Sequence, residues 1–327
     1  MPRCRPGDGG AAAGGVPARG RDAACRREGF VSLDTSRGGG TETLVFLAIA
    51  ALAVVLVITG PTVDDHRIAV LLAAAVVIGG LPHGALDPWI AWRAALWRTW
   101  RGAVVFHVVY IAAAASVVVG WLAAPAAGLA LFLAVSAWHF AGDWPLPSVL
   151  RPLVGTALLA FPAWHWPVEV EHLLTLLGGE GGKTLAGVLG DAGPALTLVA
   201  LLAAAGLAIR KATLAALELT TLATLGTLLP PLAYFVVYFC FLHSPRHLRQ
   251  AAAGANAHTR RRLLAVIALY TALALFCFAS ASPWLADIAS PRWDDDLVRI
   301  VFIALAALTV PHMCVMALAA RRSVRPA

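Results

Sequence analysis

Charge is scarce in this chain. Only 13% of its residues are Asp, Glu, Lys or Arg, about half the share of an ordinary soluble domain. Cysteine supplies no framework: Cys4, Cys25, Cys240, Cys277 and Cys314 are odd in number and scattered, with no C-x-x-C. That excludes a disulfide scaffold and argues against a thiol redox motif. A P-loop, a dinucleotide fingerprint and a serine triad are also missing, which removes the common nucleotide and acyl-transfer chemistries. The formal charge of +7 has no basic stripe or aromatic platform around it, so nucleic acid is not an expected partner.

Apolar residues are what the chain has in quantity: 60% of the total, with a mean hydropathy of +0.78. They come in long blocks separated by short polar links, the pattern of lipid-facing helices. The fold class expected is all-α, a polytopic transmembrane helix bundle of about ten spans. The spans fall near 43–60, 67–82, 103–122, 126–142, 148–166, 194–210, 212–229, 231–250, 262–281 and 297–319. Segment 167–180 reads as lying along the membrane surface. Residues 1–40, rich in Gly, Ala and Arg with no apolar run, read as a disordered basic tail. Residues 41–327 read as a single transmembrane domain.

The links carry an orientation. The tail is basic, and Arg93, Arg98, Arg101, Arg210, Lys211, Arg246, Arg249, Arg260 to Arg262, Arg321 and Arg322 recur in alternate links. Asp64, Asp65, Glu169, Glu171, Glu180, Asp191 and Asp294 to Asp296 occupy the others. By the positive-inside rule the basic side is cytoplasmic, which puts both termini inside a cell (inner) membrane. Trp89, Trp92, Trp97 and Trp100 fit an aromatic belt at that interface.

Ionisable residues inside spans are costly and usually functional. His83, His139 and the pair His243 and His247 end three spans that run from outside to inside, which sets all four near the cytoplasmic face at similar depth. His243 and His247 are four apart and project from one helix face. Four neutral imidazoles at one level suit iron, copper or zinc. Against this stands the ordinary role of a lone histidine at a helix end, capping or facing the interface. His312, after Pro311, is deeper and could line the same cavity; His107 starts a span, and His66, His165, His172 and His258 lie in links or outer ends.

Asp87 follows His83 by four residues and Asp143 follows His139 by four, so each could orient the imidazole one turn away. Water-facing helix ends would account for them equally well. Glu218, embedded in an apolar span, reads as an interior group behind the site. Trp138, Phe140, Tyr234 and Tyr238 neighbour the histidines and could line a substrate channel or simply pack.

The segments Gly80-Leu81-Pro82-His83-Gly84-Ala85-Leu86-Asp87, Trp138-His139-Phe140 with Asp143, and Tyr238-Phe239 leading into His243-Ser244-Pro245-Arg246-His247 resemble the Brp/Blh family, the Brp-like β-carotene 15,15′-dioxygenases of bacterial and archaeal membranes. They come in the family's order over residues 80–250. The resemblance implies cleavage of β-carotene at its central double bond with O2 to give two retinal molecules. It implies Fe(II) held by His83, His139, His243 and His247, the lipid bilayer as surroundings, and a retinal-binding rhodopsin as a downstream recipient. Two rivals are kept: a di-iron membrane hydroxylase or desaturase, which needs about eight clustered histidines, and a non-enzymatic haem-binding or transport protein, whose ligands would pair across helices.

Overall fold

A computed structural model describes residues 39–60, 65–253, 256–286 and 293–323. The basic tail expected over 1–40 therefore lies, up to residue 38, outside the described residues. Among the described residues every regular element is helical.

The chain runs through α1 (Gly39–Thr59) and α2 (Asp65–Ala75). A π turn over Val76–Gly80 leads into the short α3 (Leu81–Gly84) and α4 (Asp87–Arg93). Then come α5 (Trp100–Ala123), α6 (Pro125–Phe140) and α7 (Leu150–His165). The helical run α8 covers Pro167–Ile209, and α9 covers Thr213–Leu228. Last are α10 (Pro231–Tyr238), a second π turn over Phe239–His243, α11 (Ser244–Ala251), α12 (Ala257–Ala286) and α13 (Trp293–Ser323).

The breaks obey local chemistry. Thr99 caps α5 by accepting from the Gly102 amide at 3.2 Å, satisfying one of the free donors of a helix start. Pro125, Pro167 and Pro231 each open a helix at its first position, where the missing N–H costs nothing. Within α8 the chain turns sharply at Gly179, whose φ of +62° and ψ of −147° are open only to glycine. The run is thus two helices joined at Gly179. Its second arm begins well before residue 194, where hydropathy alone starts the span.

Five described helices are long and apolar enough to cross a membrane: Gly40–Thr59, Trp100–Ala123, Pro125–Asp143, Pro167–Ile209 and Asp295–Arg322. Of the other expected spans, 212–229 corresponds to the shorter apolar helix Thr213–Leu228. Those at 67–82 and 231–250 are divided by the two π turns. Their hydrophobic residues are continuous in sequence, but the helical ladder is interrupted where the histidines begin.

α5 shows why lipid is the solvent. Trp121 is its buried residue, whereas Val104, Val105, Val108, Val109, Ile111 and Val119 are each more than half exposed. A patch of that kind is rare on monomers facing water, and 24 residues reach about 36 Å, enough for a hydrocarbon core of about 30 Å. The interior is conventional: Phe46, Trp121, Leu129, Trp144, Phe161, Leu177, Leu219, Leu222, Leu229 and Leu242 are almost wholly buried where α1 and α5 to α10 meet. The protein is a helical membrane protein.

Candidate metal centre

Two π turns bring the histidines together. The turn Val76–Gly80 packs on the turn Phe239–His243, and glycine permits the approach. A Cβ on Gly79 would stand 2.8 Å from the Cys240 Cβ, and one on Gly80 would stand 2.5 Å from Phe239 Cε1. The Cys240 thiol meets the Ala75 carbonyl oxygen at 3.3 Å across the same contact. A π turn inserts an extra residue into the helical repeat and redirects the side chains beyond it, which is why such turns recur at functional sites. The first turn directs His83, three residues beyond its end, and the second ends on His243.

Five imidazoles converge. His139 and His243 lie 4.7 Å apart between ring centroids, His243 and His247 4.4 Å, His139 and His247 5.1 Å, and His83 and His243 5.4 Å. The fifth is His312 of α13, 5.3 Å from His83 and 5.2 Å from His139. Two overlapping triads, His83–His139–His312 and His139–His243–His247, can each gather three ring nitrogens within 4.8 Å of one another.

Hydrogen bonds decide which nitrogen is left on His83, His243 and His312. His83 Nδ1 lies 2.6 Å from the Gly80 carbonyl oxygen; a carbonyl only accepts, so Nδ1 carries the proton and Nε2 faces the cluster. His243 Nδ1 donates to Asp143 Oδ2 at 3.0 Å, and His312 Nδ1 to Asp87 Oδ1 at 2.6 Å. His247 Nε2 stands 3.7 Å from Asp143 Oδ1, near it but without a hydrogen bond. Such outer partners fix tautomer and ring plane in metal-bound histidines.

The donor set fits a metal ion on two observations. His243 Nε2 lies 3.1 Å from His139 Nε2. With the His243 proton on Nδ1, that is a lone pair aimed at a second ring nitrogen, and the distance matches two adjacent ligands with metal–nitrogen bonds of about 2.1 Å. The buried Nε2 of His312 has no hydrogen-bond partner among the described residues.

The carboxylates serve other histidines than their nearest in sequence. One-turn spacing assigns Asp143 to His139, but Asp143 instead serves His243 and accepts from the Tyr238 hydroxyl at 2.8 Å. The same spacing assigns Asp87 to His83, but Leu86 sits between two short helices and turns Asp87 toward His312 and the Tyr110 hydroxyl, at 2.6 and 2.7 Å. Glu218 contacts none of the five rings. It accepts from Thr43, from Trp144 Nε1 at 3.1 Å and from the Arg246 guanidinium at 2.7 Å, and Arg246 in turn donates to the Asp143 carbonyl at 3.0 Å. Glu218 thus anchors the site through Arg246.

A cleft leads to the cluster past Phe132, Phe140, Phe235, Phe239, Leu305 and Leu308. Phe140 borders the cleft. Trp138 does not: it is 58% exposed, because successive residues on a helix diverge by about 100° and His139 takes the inward direction. Tyr234 and Tyr238 are buried behind the cleft and do not line it. Phe132, Phe235 and Phe239 escape sequence reasoning; their only signal is an aromatic residue one or two helical turns from His139 or His243.

No solved structure is similar to this chain. The family model described as Beta-carotene 15,15'-dioxygenase matches residues 74–319. A beta-carotene 15,15'-dioxygenase of an uncultured marine bacterium, 66A03, is 30% identical over 266 residues, covering 73% of this chain and 90% of that protein. A probable beta-carotene 15,15'-dioxygenase Blh of Halobacterium salinarum is 29% identical over 314 residues, covering 83% of this chain and 89% of the relative. The matched residues contain the five-histidine cluster and the cleft that leads to it, and the chain belongs to the beta-carotene 15,15'-dioxygenase family.

Proposed function

We propose that this protein cleaves β-carotene with O2 at its central 15,15′ double bond, giving two retinal molecules, at ferrous iron held by His83, His139, His243 and His247. The observation that carries the reading is the convergence of imidazoles from separate segments at the inner end of an aromatic cleft, in a chain of this family. The reaction balances without acid or base: one carbon–carbon double bond breaks, each carbon takes one oxygen, and no proton is gained or lost. That suits a site whose carboxylates are occupied with positioning imidazoles and a phenol.

The protein's part is binding and exclusion. A long hydrocarbon dissolved in the bilayer reaches the cleft sideways between helices, and Phe132, Phe140, Phe235 and Phe239 offer ring faces and edges to the polyene. When bound, ferrous iron supplies the electron chemistry that lets ground-state O2 react with a double bond. Asp143 and the Gly80 carbonyl hold His243 and His83 with their N–H groups turned away from the cleft.

The ten-span arrangement with both termini cytoplasmic belongs to the same proposal. It is supported by contacts between links assigned to one side: Arg249 pairs with Glu42, Arg93 donates to the Ala251 carbonyl and Arg322 to the Ala95 carbonyl. At the opposite end His172 meets Asp295 at 3.5 Å. The metal centre then lies nearer the cytoplasmic face.

The test is expression from residue 40 in a bacterium that makes β-carotene, beside His243→Ala, with retinal measured by chromatography. Bleaching with retinal, both absent in the variant, is the expected outcome. Unchanged carotene with verified, iron-loaded protein would overturn the substrate.

A further inference from the structure

His312 has no part in the four-histidine set, yet it is held as a ligand is held. It is 3% exposed, on α13. Its Nδ1 donates to Asp87 Oδ1 at 2.6 Å. Asp87 is itself fully buried, and its other oxygen accepts from Tyr110 on α5 at 2.7 Å. Two further elements are thus spent on orienting one ring. That leaves Nε2 as the free nitrogen. It is buried and without a hydrogen-bond partner among the described residues, and a ring nitrogen of His312 lies within 4.8 Å of one on His83 and one on His139. The same residue borders the cleft. A carboxylate behind an imidazole is the arrangement that fixes a metal ligand's tautomer and raises its basicity, and a buried nitrogen left without a partner calls for a reason.

We infer that His312 is a fifth imidazole donor to the metal centre, on the side of His83 and His139, with Asp87 and Tyr110 as the residues that position it. The inference rests on the metal-centre reading and extends its ligand set. It also gives Asp87 a purpose that its place one turn after His83 does not.

The experiment uses the full chain in detergent micelles, titrated with Co(II) as a coloured stand-in for the ferrous ion, with affinity and visible spectrum as readouts. His312→Ala and Asp87→Asn are each expected to weaken Co(II) binding about 10- to 100-fold, and His312→Ala to change the spectrum. Free imidazole restores affinity and spectrum in His312→Ala, because it refills the ligand position, and does nothing for Asp87→Asn. Unchanged affinity and spectrum in His312→Ala, while His243→Ala loses binding, overturns the inference and leaves the four-histidine centre standing. A loss in His312→Ala that imidazole does not repair assigns the residue to packing and also overturns it. Wild-type protein that binds no Co(II) overturns the metal centre and this inference together.

Discussion

Asp143 accepts from an imidazole and a phenol at once and stands near a second imidazole. Its Oδ2 accepts from His243 Nδ1 and the Tyr238 hydroxyl, and its Oδ1 stands 3.7 Å from His247 Nε2. Removing the charge while keeping the shape should therefore loosen His243. Asp143→Asn is expected to lower iron affinity about 10- to 100-fold, read by chelator competition on purified protein, with helical circular dichroism unchanged. The pair His243 and His247 is legible in the sequence because four-residue spacing is a property of one helix. The partners of Asp87 and Asp143 are not, because they come from other helices; one-turn reasoning assigns each to its nearest histidine. His312 carries the same difficulty, as a single histidine in a long apolar helix until Asp87 and Tyr110 are seen behind it.

At the scale of elements, the two π turns are where sequence and fold diverge most. Segments 67–82 and 231–250 are apolar enough to read as unbroken spans, and nothing in hydropathy marks an extra residue in the ladder at Val76–Gly80 or Phe239–His243. The adjacent glycines are the visible trace. Gly80→Ala is expected to push a methyl group into Phe239 and destabilise the protein by about 1–3 kcal/mol, seen as a lower melting temperature in detergent. His83 lies just beyond the first turn and His243 ends the second, so retinal output should fall more than the amount of folded protein. An unaltered melting temperature would mean that the two turns do not pack as described. The Gly179 bend likewise shows its cause only in structure: three glycines nearby, Gly178, Gly181 and Gly182, offer equal freedom in sequence, and only Gly179 takes the positive φ.

For the whole molecule, hydropathy and charge make the class plain: long apolar blocks, a scarcity of charge, and basic links alternating with acidic ones. Five helices meet the length and composition of a membrane span by themselves; of the rest of the expected ten, four are divided or short and one lies in the 30-residue α12, so their crossing has to be measured. In a chain whose native cysteines have been replaced, Arg210→Cys should react with a membrane-impermeant maleimide only after the cells are opened, and Glu171→Cys in intact cells. Both side chains are exposed. Equal labelling of the two in intact cells would contradict the orientation. The most direct test of the central claim is product stoichiometry: purified, iron-loaded protein is given β-carotene in micelles under O2, and carotene consumed is compared with retinal formed. Two retinals are expected for each β-carotene, and none from His243→Ala. Cleavage products of unequal length, or consumption of β-carotene without retinal, would contradict that claim.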